Sequence, residues 1–112
     1  MKLTEKKCIP CEDNSIEPLS CEEVHKLASQ HQSEISGWNI NEACTRMTYE
    51  KLFPDFRIGM NFVNQVAELA ENEGHHPNIS IEYNRVTLDL WTHSIGGLSE
   101  NDIILAAKIL AL

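Results

Sequence analysis

Basic residues are scarce: nine Lys and Arg stand against 17 Asp and Glu in a chain of 112 residues, a formal charge of −8. Such a surface repels phosphate backbones, and only Lys6-Lys7 interrupts its acidity, so direct nucleic-acid binding is excluded. Long apolar runs are missing as well. The longest, Ile103 to Ala107 and then Ile109 to Leu112, is broken by Lys108 and falls short of the ~20 residues of a membrane span. The start, Met1 to Lys7, joins no basic segment to an apolar one as a secretory signal would, and a cytoplasmic location is expected. Cysteine is absent beyond Cys44. Cys8, Cys11, Cys21 and Cys44 leave most of the chain unstapled, and without a secretory signal free thiols are expected in preference to a disulfide framework. Cys8-Ile9-Pro10-Cys11 supplies half of a tetrahedral zinc site, which Cys21 and Cys44 would complete only at irregular spacing.

What is present suffices for one core. An apolar fraction of 42% with 23% charged residues is ordinary for a globular domain, and the length suits a single one. Residues 1–18 read as a polar leader bearing the C-x-x-C, and residues 19–112 as the domain. Ser20 and Glu23 form a capping box, Leu19 and Val24 a hydrophobic staple, and Val24, Leu27, Ala28 and His31 one face of a helix running to about Gln32. After Gly37, Trp38–Asn41 and Cys44–Phe53 alternate as a strand hairpin. Asp55 caps the longest helix, with Phe56, Met60, Val63, Val66, Ala67 and Ala70 on its apolar face, widened by Ile58, Phe62 and Leu69, and Gly74 as a left-handed stop. Ile79, Ile81 and Tyr83, then Val86, Leu88 and Leu90, form a second hairpin about Asn84-Arg85. Ser99 caps a final helix to Leu112, with Asp102 at its third position. The order α-β-β-α-β-β-α implies an α+β fold: a four-stranded antiparallel sheet with helices packed on one face.

A two-residue turn at Asn84-Arg85 sets Tyr83 opposite Val86 and, by extension, His76 opposite His93. Both would lie on the polar face with Asn78, Ser80, Glu82, Thr87, Asp89 and Trp91. His75 sits beside them where the long helix meets the strand, and Pro77 biases His76 towards extended backbone. Three imidazoles at one sheet edge admit three readings. They could ligate a metal, although adjacent His75 and His76 chelate poorly because neighbours in an extended chain diverge. They could transfer protons near neutral pH. They could be unrelated polar residues at a strand end.

The string Glu71-Asn72-Glu73-Gly74-His75-His76-Pro77, then Tyr83-Asn84, Thr92-His93 and Gly97-Leu98-Ser99-Glu100-Asn101-Asp102, resembles the pterin-4a-carbinolamine dehydratases. The pattern is Glu-x3-His-His-Pro, a third His, and Gly-Leu-Ser-x2-Asp ending nine residues after it. The resemblance extends upstream through Gly37-Trp38 and covers about Leu19 to Leu112. It implies a small α+β enzyme, dimeric or tetrameric, that removes water from 4a-hydroxytetrahydropterin to give quinonoid dihydropterin, with neither cofactor nor metal. The substrate would come from aromatic amino acid hydroxylases. On this resemblance His75, His76 and His93 are the catalytic residues: His75 and His93 transfer protons and His76 holds the 4a-hydroxyl. Glu71, Gly74, Pro77, Trp38, Trp91, Thr92, Ser94 and Asp102 would form the substrate-binding surround. Glu71 can orient a histidine or meet the pterin amide edge, and Asp102 reads first as a helix cap. Gly74 stands where some relatives carry an acid, and the cysteines of the leader have no role in the pattern. Animal members also bind a homeodomain transcription factor as coactivators, so a protein-binding module is the alternative, with a tri-histidine metalloenzyme as a third reading. Homo-oligomers are expected from the resemblance and from Ile104 and Ala107, which extend the last helix's apolar arc beyond one core face.

Overall fold

The computed structural model describes residues 2–8 and 17–112. A short 3-10 turn, Leu3–Glu5, precedes α1 (Cys21–Gln30), β1 (Asn39–Ile40), β2 (Met47–Leu52), α2 (Phe56–Glu73), β3 (Asn78–Glu82), β4 (Arg85–Leu90), a second 3-10 turn (His93–Ile95) and α3 (Glu100–Leu110). The strands form one antiparallel sheet in the order β1-β2-β4-β3. This is the expected α+β arrangement in the expected order.

Local chemistry sets the element ends. The Ser20 hydroxyl accepts from the Glu23 N–H and the Glu23 carboxylate from the Ser20 N–H, the reciprocal box anticipated for α1. Asp55 accepts from the Ile58 N–H at 2.9 Å to start α2. Gly74 ends it at φ 67°, a conformation that would strain any residue with a Cβ. Helix α1 stops at Gln30, two residues before the expected end, with His31 as its cap.

Alternation then builds the core. Met47, Val86, Leu88 and Leu90 face inward and join Val24, Val66, Leu98, Ile103 and Leu105 in one buried cluster. The outward face carries Thr48, Glu50, Thr87 and Asp89, and the Thr48 hydroxyl donates to Asp89 at 2.7 Å. The buried stripe of α2 is Gly59, Val66 and Ala70, flanked by Phe62, Val63 and Leu69. Phe56 and Ile58, expected on that face, are instead exposed, and so is Ala67, because the arc that meets the core is the narrower one of Gly59, Val66 and Ala70.

Three further expectations are corrected. The second hairpin turns at Tyr83-Asn84, pairing Glu82 with Arg85 and Asn78 with Asp89. Tyr83 takes φ 51°, and Asn84 is tied to Phe53 in both directions, its side chain donating to the Phe53 carbonyl and its own carbonyl accepting the Phe53 N–H. Pairing stops at Asn78, so His76 and His93 are not cross-strand partners. Cys21 and Cys44 form a disulfide where free thiols were expected, because α1 and the segment before β2 bring their Cα atoms to 5.1 Å. The leader is also more than polar. Leu3 is fully buried and its turn packs on α3, so Ile104 and Ala107, read as a surplus apolar arc, are covered within the chain. Cys8 is half-buried against Asn101, while Cys11 lies outside the described residues.

Candidate active site

The left-handed turn at Gly74 brings the chain back on itself after α2, and the His75 N–H still bonds the Ala70 carbonyl at 3.2 Å. This directs the His75 ring inward. Its Nε2 meets Asp102 Oδ1 at 2.6 Å, with His75 5% exposed and Asp102 wholly buried. A buried carboxylate needs compensating donors. The second oxygen accepts from the Thr92 hydroxyl at 2.8 Å and the Ser99 N–H at 2.9 Å. Since Thr92 gives its only hydroxyl proton to Asp102, the Ser99 hydroxyl donates to Thr92 Oγ1, 2.8 Å away. The first turn of α3 adds its positive pole. Asp102 therefore caps α3 and holds His75 with the same carboxylate, and acceptance by the carboxylate assigns the proton to His75 Nε2.

His76 points the other way, as alternation dictates. It is exposed, and its Nε2 meets Glu71 Oε2 at 2.7 Å, so the helix carboxylate one turn back orients it. His93 arrives from the far side at the start of the turn that follows β4. The Trp91 ring lies 4.3 Å from the His93 ring, and the Arg46 guanidinium sits 4.2 Å from the Trp91 centroid. Thr92 is pinned by its N–H to the Gly97 carbonyl at 2.8 Å, which folds the His93–Gly96 segment back over the sheet end.

These segments enclose a cleft of about 420 Å³ lined by Gly74, His75, His76, Pro77, Asn78, His93 and Ser94. All three histidines are brought together, although by two converging loops and not by strand pairing. Gly74, Pro77 and Ser94 also line the cleft; Glu71, Trp91, Thr92 and Asp102 stand behind the histidines and position them. Trp38 does not line it. It is buried and stacks on Tyr49 at 5.3 Å as part of the core. Asn78 was not singled out as a site residue, yet its parity with His76 on the polar strand face signals the placement. Arg46 had no signal, because it reaches Trp91 only through the pairing of β2 with β4.

A buried histidine held by a carboxylate, facing two accessible imidazoles, can donate and accept protons on one bound molecule. Pockets for small ligands begin at about 300 Å³, so the cleft is large enough for a bicyclic heterocycle. The chain as a whole is similar to known proteins. The protein is 46% identical over 108 residues to a Rickettsia canadensis protein named "Putative pterin-4-alpha-carbinolamine dehydratase", covering 96% of this chain and 94% of that one. A Brucella melitensis protein described as a transcriptional coactivator/pterin dehydratase superposes with a TM-score of 0.74 at 33% identity, covering 85% of this chain and 97% of the other. A pterin dehydratase-like RuBisCO assembly factor of the alpha-carboxysome shares the fold, with a TM-score of 0.58 at 22% identity over 70% of this chain and 90% of that one. Residues 17–112 match the family described as pterin 4 alpha carbinolamine dehydratase, and the chain belongs to that family.

Proposed function

We propose that the protein dehydrates a 4a-hydroxytetrahydropterin to the quinonoid dihydropterin and water by histidine acid/base catalysis. The reaction breaks the C4a–O bond and forms a C4a=N5 double bond. One proton goes to the departing hydroxyl, one leaves the ring nitrogen, and no electrons are exchanged with another reagent. Imidazoles match this demand near neutral pH. The observation that carries the reading is His75, fixed by Asp102 at the inner wall of a cleft that His76 and His93 also line. In this reading His75 and His93 transfer the protons, and His76, steadied by Glu71, holds the 4a-hydroxyl. Among the described residues the donor atoms of His75, His76 and His93 do not gather closely enough to hold a metal ion, which favours proton transfer over a three-histidine metal centre. Homo-oligomers and an aromatic amino acid hydroxylase as supplier belong to the same proposal.

The test follows the ultraviolet absorbance of enzymatically generated 4a-hydroxytetrahydropterin. Wild type is expected to accelerate its loss, and a His75→Ala/His93→Ala variant to lose about 10²- to 10⁴-fold of that rate, the usual share of general acid/base catalysis. Equal rates for the two proteins would overturn the reading. The coactivator wording attached to the Brucella relative favours a second one, a protein-binding module. Absence of pterin binding together with a stable complex with a different protein would support that alternative.

A further inference from the structure

Cys21, His25 and Cys44 lie outside the cleft and have no part in the pterin chemistry. Cys21 is the first residue of α1 and His25 follows one turn later, so both project from one face of the helix. Cys44 comes from the segment before β2, where its backbone sits at φ 56° and its side chain is buried. The two sulfurs are joined, and His25 Nε2 lies 3.5 Å from Cys44 Sγ. All three donor atoms fall within 4.8 Å of one another. A disulfide makes no demand on a neighbouring imidazole, whereas a metal does. Tetrahedral zinc, with Zn–S of about 2.3 Å and Zn–N of about 2.0–2.1 Å, needs N···S edges near 3.6 Å and an S···S edge near 3.8 Å. The His25–Cys44 edge already has that length. Parting the sulfurs requires only rotation of Cys21, which is exposed at the helix start.

We propose that a dithiol reductant, itself oxidised to a disulfide as it passes two electrons to the Cys21–Cys44 bond and breaks it, opens a zinc site formed by Cys21 Sγ, Cys44 Sγ and His25 Nε2, with water in the fourth position. The junction between α1 and the β1–β2 connection is thereby cross-linked by sulfur under oxidising conditions and by metal under reducing ones. Thiolate and imidazole donors select zinc over magnesium or calcium, which prefer oxygen. In the reverse step hydrogen peroxide oxidises the two thiolates. They give up two electrons and form the S–S bond, the peroxide O–O bond breaks, two protons from solvent complete two water molecules, and zinc is released. The site stands independently of the pterin reading.

The experiment uses the full chain as Cys8→Ser/Cys11→Ser, so that the leader thiols contribute nothing. The phosphine-reduced protein is titrated anaerobically with cobalt(II) and then with zinc. The expected result is a thiolate-to-cobalt charge-transfer band that saturates at one equivalent, is displaced by zinc, and is missing from the oxidised protein. His25 is exposed, so His25→Ala leaves no core cavity; removing one of the three protein ligands should weaken cobalt binding by more than the about tenfold that loss of a mere supporting contact costs. Zinc should raise the thermal midpoint of the reduced parent and not of His25→Ala. Peroxide should release one zinc for each disulfide formed. Absence of the band from the reduced parent, equal binding by the oxidised form, or undiminished binding by His25→Ala would each overturn the proposal.

Discussion

The Asp102 carboxylate accepts from Thr92 and Ser99 on one oxygen and meets the His75 ring with the other at 2.6 Å. An Asn in its place has the same shape but carries one amide NH₂. If the amide oxygen stays with Thr92 and Ser99, the NH₂ faces His75 and forces the ring to present an acceptor at Nε2, moving its proton to the other nitrogen. Asp102→Asn is therefore expected to lower kcat by about 10- to 100-fold, the cost typical of removing a group that orients a functional histidine, with little change in KM. Steady-state kinetics on the pterin carbinolamine, with circular dichroism to verify folding, separates this from a purely capping role, which would change stability and leave kcat alone. The capping half of the role was legible in Ser99-x-x-Asp102, a four-residue pattern. The other half was not, since the contact with His75 spans 27 residues and depends on how α2 and α3 meet.

At the scale of elements, local signals read true and long-range ones only partly. Ser20/Glu23, Asp55 and Gly74 place their boundaries because each cap acts within one helical turn. The hairpin turn was misplaced by one residue, since an aromatic residue at positive φ is costly and Tyr83 accepts it where Asn84 bonds Phe53. The pairing partner of each residue moved by two positions, so every side chain kept its face and the histidines still reached one sheet end. The leader's contact with α2 had no sequence signal. Glu73, the last residue of α2, accepts from the Cys8 N–H at 3.1 Å and from Lys108 at 3.0 Å. Burial works to raise its pKa, but the Cys8 N–H and the Lys108 ammonium outweigh this and hold the carboxyl below its usual value. A group depressed in the folded state stabilises above its unfolded pKa, about 4.3 for Glu, and loses that contribution as pH falls through the folded value. Wild type should thus exceed Glu73→Gln in thermal midpoint at neutral pH, and the gap should close on acidification below about pH 4. A gap independent of pH would show that the carboxylate charge contributes nothing.

For the whole molecule, the radius of gyration of 13.6 Å is close to the ~13 Å of a compact domain of this length, yet the layers are unequal. Helix α3 is apolar almost all round, with Ile103, Ile104, Leu105, Ala106, Ala107 and Ile109 buried, and a helix of that kind needs cover on more than one side. Helix α2 supplies part of it, the inward side chains of the sheet join the same buried cluster, and the Leu3–Glu5 turn supplies more. Three polar contacts keep the turn in place: the Leu3 N–H donates to the Glu34 carboxylate, Lys6 pairs with Glu100 at 2.7 Å, and the Cys8 N–H reaches Glu73. The Lys6 pair is partly exposed and contributes little, so the apolar side chain dominates the docking. A leader that merely trailed from the domain would tolerate Leu3→Ala within about 0.5 kcal/mol, as surface positions do. Full burial in contact with the core predicts a loss of about 2–5 kcal/mol, a large share of the ~5–15 kcal/mol that holds a typical domain together. Urea unfolding of wild type and Leu3→Ala distinguishes the two outcomes. Leu3→Met serves as the control: it nearly conserves volume and should cost less than about 1.5 kcal/mol if packing, and not helix propensity or charge, is what Leu3 supplies.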